Sequence, residues 1–157
     1  MLCQWHPCAN FTLASASFSG AIKIWDVQKE VSPLDYQKSN SAPWCMRWNY
    51  DGSLLGCINK NKQMHLYDPR SPDTAIVTNA HGGTKPQRMS WIRDSGKILT
   101  VGTSEFNERE WAVYDTRGDM SKPIVQQKLD KNTAPMHMHY DSANEIMFIM
   151  NKGGPSL

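Results

Sequence analysis

The sequence predicts an all-β fold made of repeated units, each with about four short antiparallel strands. Three observations predict it. A phrase of proline, methionine three residues later and an aromatic residue two after that occurs at Pro43–Trp48, Pro86–Trp91 and Pro135–Tyr140. A second phrase, which alternates apolar and polar residues and ends in aromatic-Asp, occurs at Ala21–Asp26, Gln63–Asp68 and Glu110–Asp115. The closing aromatics of the first phrase, Trp48, Trp91 and Tyr140, are 43 and 49 residues apart.

The first phrase predicts the first strand of each unit. Met46 and Trp48 are two residues apart and therefore share one face of a strand. A face that packs against a neighbouring unit must be large and apolar, which these side chains satisfy. The proline that precedes each aromatic by five residues marks entry from the linker between units. Trp5 lies 43 residues before Trp48 and is interpreted as the end of an earlier copy.

A turn signal and then a second strand follow the first phrase. The turn reads Asn-Tyr-Asp-Gly before Ser53 and Arg-Asp-Ser-Gly before Lys97, and Asp and Gly supply local hydrogen bonding and a positive φ angle. The predicted second strands are Thr12–Ser17, Ser53–Asn59 and Lys97–Thr103.

The aromatic-Asp phrase predicts the third strand, because alternation with a period of two indicates a strand with one buried face. A fourth, looser strand follows it. Pro33 and Pro69 interrupt or end the preceding pairing, since proline has no N–H to donate. The predicted fourth strands are Val31–Tyr36, Thr74–Thr78 and Pro123–Leu129.

Four short strands in about 40–50 residues are typical of one blade of a β-propeller. No stretch shows sustained 3.6-residue periodicity, which disfavours helical repeats of similar length. The prediction is one domain over 1–157, an incomplete set of about three to four blades. The repeat units are about 1–36, 43–79, 86–129 and 135–157.

Composition excludes several classes of protein. The hydrophobic share of 39% and the charged share of 20% predict a soluble globular chain, and no apolar run approaches the ~20 residues that a membrane-spanning helix needs. The start, MLCQWHPC, lacks the basic flank and apolar core of a signal peptide. A net charge of +2 does not indicate nucleic-acid binding. None of the four cysteines forms a C-x-x-C pair, so free buried thiols and a cytosolic location are expected.

Several segments resemble a known family. The order of strands and turns and the segment Ala21–Val27, AIKIWDV, resemble WD repeats. Further segments resemble the coronins, the actin-binding branch of that family, in order from Trp5 to about Gly153. They are DPR at Asp68–Arg70, AHGGTKP at Ala80–Pro86, DSGKILTVG at Asp94–Gly102, NEREWAVYDT at Asn107–Thr116 and QKLD at Gln127–Asp130. Ser19 and Asn61 depart from the family, which usually has Asp in those hairpins.

The resemblance implies a non-catalytic interaction module that binds filamentous actin and takes part in cytoskeleton regulation, together with other actin-regulatory proteins. Its implied location is the cytoplasm, in association with the cytoskeleton. A coronin has a seven-bladed propeller followed by a coiled coil, and the matched stretch corresponds to about blades three to six. No a/d heptad run occurs in this sequence, so no coiled coil is predicted within it.

Surface charge suggests where a partner would bind. In a four-stranded meander, the hairpins between second and third strands share a rim with the linkers between blades. Six basic residues, Lys38, Lys60, Lys62, Lys85, Arg109 and Lys131, are predicted there against Glu105, Glu108 and Asp130. A basic rim suits an acidic partner such as an actin filament. The candidate contact residues are Lys60, Lys62, Lys85, Arg88 and Arg109.

Two other functions remain open at this stage. One is a WD-repeat scaffold or adaptor for another protein. The other is a metal- or histidine-dependent enzyme at His137 and His139, which form H-x-H on one strand face and could hold zinc with a third ligand. His81 is expected to be structural, because the sequence around it shows no serine or cysteine in the setting of a catalytic nucleophile. The sequence therefore predicts no catalytic, cofactor or metal site.

The chain alone is expected either to self-associate or to remain partly molten. Each blade of a propeller buries both faces against its neighbours, so the first and last blades of an incomplete set would each expose Trp and Met side chains together.

Overall fold

The computed structural model describes residues 1–36, 41–71, 74–132 and 134–151, and in these ranges it contains fourteen strands. The first sheet has β1 (Leu2–Trp5), β2 (Thr12–Ala16), β3 (Ile22–Asp26) and β4 (Val31–Tyr36). The second has β5 (Pro43–Trp48), β6 (Leu55–Asn59), β7 (Gln63–Tyr67) and β8 (Thr74–Asn79). The third has β9 (Arg88–Ile92), β10 (Lys97–Thr103), β11 (Glu108–Asp115) and β12 (Val125–Lys131). The last has β13 (Met136–Asp141) and β14 (Ile146–Asn151).

Every pair of adjacent strands within a sheet is antiparallel, and each four-stranded sheet is a simple meander in chain order. The all-β class and the four-stranded unit predicted from the repeats are confirmed. In the described ranges the fourth unit has two strands. No helix in those ranges is long and apolar enough to cross a membrane.

One register recurs in the complete sheets and places three large side chains side by side. In the second sheet Trp48 pairs with Leu55, and Leu55 pairs with Tyr67. All three side chains are buried. The same register repeats in the third sheet, where the corresponding residues, Trp91, Ile98 and Tyr114, are also buried. The repeated phrases therefore build one face of each sheet.

This face packs on the preceding sheet. Met46 and Trp48 join the cluster formed by Ala16, Ile22 and Ile24 of the first sheet. Met89 and Trp91 pack in the same way with Ile58 and Leu66 of the second sheet. The predicted role of Trp48 and Trp91 as core between blades is confirmed.

A hydrogen bond accompanies each of these junctions. The indole Nε1 of Trp48 donates to the carbonyl oxygen of Gln4 at 3.3 Å, and that of Trp91 donates to the carbonyl oxygen of Arg47 at 3.0 Å. Gln4 and Arg47 each directly precede the closing aromatic of their own sheet. The same junction is therefore made twice, between the innermost strands of neighbouring sheets.

The Asp-Gly turn between β5 and β6 contacts the preceding sheet. Gly52 has a φ angle of 75°, which favours glycine, and a Cβ atom there would overlap the imidazole of His6. His6 Nε2 lies 3.1 Å from the carbonyl oxygen of Gly52, and its ring centroid lies 4.7 Å from that of Trp48. The glycine thus allows His6 to close the edge of the junction.

The two ends of the stack are uncovered. Trp5, the counterpart of Trp48 in the first sheet, is 62% exposed, and Leu13 and Trp25 beside it are half-buried. At the other end, Met136 and Met138 of β13 pack against the third sheet, while Ile146 and Phe148 of β14 are exposed. The first sheet and the last hairpin thus each present an apolar face to solvent.

His81, in the linker before β9, is buried in a polar network as expected for a structural histidine. Its Nδ1 lies 2.8 Å from Oε1 of Glu110, and its Nε2 lies 2.9 Å from the hydroxyl of Thr100. Gln126 Nε2 donates to the other carboxylate oxygen of Glu110 at 3.0 Å. Burial alone would raise the pKa of Glu110, but the hydrogen bonds from His81 and Gln126 outweigh it and hold this pKa below its ordinary value.

The cysteine prediction is half wrong. All four thiols are free, and Cys45 and Cys57 are buried between sheets. Cys3 and Cys8 are exposed instead. Cys3 shares the uncovered face of β1 with Trp5, and Cys8 lies in the turn after β1, with its Sγ 3.9 Å from the carbonyl oxygen of Tyr50.

Replacing Trp48 or Trp91 with Ala should lower the free energy of unfolding by about 3–5 kcal/mol, because each substitution leaves a cavity and removes an indole hydrogen bond. Denaturant unfolding followed by circular dichroism measures the change. Trp5→Ala is the matched control and should have little effect, since that side chain is largely exposed. Equal stability of the Trp48 and Trp5 variants would show that the junction assignment is wrong.

Replacing Glu110 with Gln should reduce stability at neutral pH by about 1–3 kcal/mol, because His81 would lose a charged, buried acceptor. A carboxyl whose folded pKa is lowered contributes stability above its unfolded pKa and loses it as pH falls through the folded pKa. The difference between wild type and variant should therefore shrink below about pH 4.5. Thermal melts between pH 3 and pH 7 measure it, with exposed Glu105→Gln as control. A pH-independent difference would contradict this account.

Candidate protein-interaction site

The predicted rim of hairpins and linkers exists on the second sheet. The backbone N–H of Lys60, in the β6–β7 hairpin, donates to the carbonyl oxygen of Ala42, which precedes β5, at 2.9 Å. The Nζ of Lys62 donates to the carbonyl oxygen of Gly82, in the linker after β8, at 2.5 Å. The hairpin is therefore fixed between the linkers that enter and leave its own sheet.

Trp44, near the start of β5, brings two of the candidate cations together. The Nζ of Lys60 lies 5.2 Å from the centroid of the Trp44 ring, within cation–π range. Nη1 of Arg88 donates to the carbonyl oxygen of Trp44 at 2.9 Å. Trp44 itself packs against the core between the second and third sheets. One anchored tryptophan therefore links cations from two different sheets.

The other predicted contact residues divide between surface and interior. Lys60 is exposed, and Lys62, Lys85 and Arg88 are half-buried. No salt bridge involves any of these four cations among the residues that the structure describes. Lys38, the remaining cation predicted on this part of the rim, lies outside the described residues.

Arg109 does not lie on the exposed rim, and its assignment as a contact residue is corrected. The residue is 3% exposed, and Nε and Nη2 of its guanidinium donate to the carboxylate of Asp130. These hydrogen bonds raise the pKa of Arg109. The cause is an irregularity in the pairing of β11 with β12: Glu108 pairs with Lys131 but Glu110 pairs with Lys128. The extra residue in β12 brings Asp130 beside Arg109.

The histidines considered for metal binding lie on the outer face of the last hairpin. His137 and His139 are exposed and alternate with Met136 and Met138, as the strand pattern predicts. No cluster of three His, Cys, Asp or Glu side chains suited to a metal ion occurs in the described part of the chain. The third ligand that the zinc hypothesis required is therefore not found among these residues.

Trp44 is a site residue that sequence reasoning missed. It lies inside the repeated phrase, but the same position holds Gln87 in the next copy and Met136 in the last, so the repeat does not mark it. No other signal in the sequence marks it, because its contacts with Lys60 and Arg88 arise only in the folded chain.

Comparison with known proteins gives one consistent result. No protein-family model matches the chain. The chain is 30% identical over 153 residues to the coronin-like protein crn1 of Schizosaccharomyces pombe, covering 97% of this chain and 25% of that protein. It is 26% identical over 157 residues to human coronin-2A, covering 97% of this chain and 30% of that protein.

A solved structure of a coronin domain is also similar to this chain. The WD40 domain of coronin from Toxoplasma gondii superimposes with a TM-score of 0.90 at 28% identity, covering 98% of this chain and 40% of that one. The chain thus spans between a quarter and a third of the length of these two curated relatives. Similarity over nearly its whole length, in sequence and in the order of its sheets, shows that the chain belongs to the coronin family of WD-repeat proteins and matches part of the family's propeller.

Proposed function

We propose that the chain is a non-catalytic interaction module that binds filamentous actin. The contact surface is the Trp44 patch, defined as Trp44, Lys60, Lys62, Lys85 and Arg88. The observation that carries the proposal is the position of Lys60 over the Trp44 ring, with Arg88 bonded to the backbone of the same residue. Family membership, with the actin binding that the resemblance implies, supports actin as the partner. The protein would then act in the cytoplasm, at the cytoskeleton, beside other actin-regulatory proteins.

The patch is suited to an acidic surface because its charge is not neutralised internally. An aromatic ring or a backbone carbonyl contacts Lys60, Lys62 and Arg88. By contrast, Arg109 and Lys128 on the third sheet are paired with Asp130 and Glu108. Cations without carboxylate partners keep their field directed outward and accelerate encounter with an oppositely charged surface.

Replacing Lys60 with Glu should weaken co-sedimentation with actin filaments and flatten its dependence on salt, because one attractive charge becomes repulsive. The double variant of Lys60 and Lys62 should bind more weakly still, although Lys62→Glu also removes the hydrogen bond to Gly82. Lys60→Glu alone is therefore the cleaner test.

Lys122→Glu is the matched control, since it makes the same change of charge at an exposed loop after β11. Unchanged co-sedimentation of the Lys60 variant at low salt would exclude the patch from actin binding. Failure of the unmodified protein to co-sediment would favour the alternative of a scaffold for another protein.

We also propose that the isolated chain self-associates through its two uncovered apolar faces. One face holds Trp5, Leu13 and Trp25 of the first sheet, and the other holds Ile146 and Phe148 of the last hairpin. Contact between them would repeat the sheet-on-sheet packing seen at the three internal junctions, with the same polarity.

Light scattering after size-exclusion chromatography should give a mass above that of one chain, increasing with concentration. Phe148→Glu should lower this mass without loss of strand content, since the side chain is 48% exposed. A monodisperse monomer with a sharp two-state melt would overturn this proposal.

A further inference from the structure

We propose a second protein-binding site on the opposite rim, which takes an acidic peptide segment. A cavity of about 500 Å³ lies where the innermost strands of all four sheets end and their first turns begin. Its volume falls within the range of about 300–1,000 Å³ that is common for ligand pockets. The residues that carry the inference are Trp5, Arg47, Tyr50, Ser90, Arg93 and Tyr140.

The charged side chains that line the cavity are all positive. Two arginines line it and no aspartate or glutamate does. Arg93 already pairs with Glu145 at 2.6 Å, outside the lining. Arg47 is exposed, and its guanidinium donates to the backbone carbonyl of Met46 at 3.2 Å, with no ion pair among the described residues. Arg47 is therefore the cation available to an incoming carboxylate.

Aromatic side chains surround this cation. Trp5 is 62% exposed and Tyr50 is 60% exposed, and Tyr140 is half-buried. Such rings offer apolar faces at low entropic cost, since they have few rotatable bonds. The combination fits an acidic residue that is flanked by an apolar one, with the carboxylate at Arg47 and the apolar side chain against Tyr50.

The backbone that carries Arg47 is held in place before any partner binds. Its carbonyl oxygen accepts the indole hydrogen bond of Trp91, and the next residue, Trp48, is bonded to Gln4. A preformed site avoids the cost of ordering a loop on binding. The cavity is therefore a fixed feature of the junctions between sheets.

The site is separate from the Trp44 patch. Trp44 and Arg47 are three residues apart on β5, which places them roughly 10 Å apart along the strand, toward opposite rims. Two different partners could therefore bind at the same time. Nucleic acid is a poorer fit, because its binding relies on several phosphate contacts and this cavity offers one uncommitted cation.

The test uses a fluorescein-labelled peptide, Glu-Leu-Asp-Glu-Phe-Asp, and its matched partner Gln-Leu-Asn-Gln-Phe-Asn. Fluorescence anisotropy with the whole chain should show saturable binding of the acidic peptide only. Arg47→Glu should weaken it by about tenfold or more, the loss of one charged contact. Lys122→Glu, on a loop of the same rim but outside the cavity, should change affinity by less than about twofold.

Arg47→Gln provides a second variant without charge reversal and should also weaken binding, with circular dichroism confirming that it folds. Three results would each overturn the proposal: no saturable binding of the acidic peptide, equal binding of the amide peptide, or equal affinity of the Arg47 and Lys122 variants. Displacement of the peptide by single-stranded DNA at the same concentration would also overturn it, since the surface would then be a general polyanion site.

Discussion

The position of the aromatic residue in the innermost strand is the constraint on which the rest of this structure depends. Trp48 fills the space beneath the first sheet and Trp91 the space beneath the second, and each also bonds to a backbone carbonyl of the sheet it covers. Packing alone would allow neighbouring sheets to slide, because apolar contact has no direction. The indole hydrogen bond fixes their relative height. With the height fixed, hairpins and linkers of adjacent sheets meet at one rim, and the first turns meet at the other.

Repeated positions in the sequence predicted the fold, and positions that differ between repeats carry the surfaces that partners would use. Proline, methionine and the closing aromatic recur in each phrase and build strand entry and core. Trp44 and Arg47 lie between them, at positions where the other copies have different residues. The indole and the guanidinium are therefore present at these positions in one blade only. Periodicity could not single them out, since it averages over such differences. Their roles depend on neighbours from adjacent sheets, which only the folded chain brings together.

The corrected assignments have equally local causes. Arg109 was expected on the exposed rim, but an extra residue in the neighbouring strand lets the buried guanidinium pair with Asp130, whose carboxylate is half exposed. A single insertion of this kind leaves no pattern in the sequence. Cys3 and Cys8 were expected to be buried, as Cys45 and Cys57 are, but Cys3 lies on the uncovered face of the first sheet and Cys8 lies in an exposed turn. Neither outcome follows from the local sequence.

The junction hydrogen bond also bears on how such a chain can change its length over evolution. In the second unit the acceptor, Arg47, directly precedes the donor, Trp48, so this unit offers the following sheet the same kind of bond that it makes to the preceding one. A gene duplication that inserted a further copy of this 43-residue unit beside the original would therefore restore the indole hydrogen bond at both new junctions. The side chains at the variable positions would travel with the duplicated unit. New partner specificity could thus arise by duplicating whole blades.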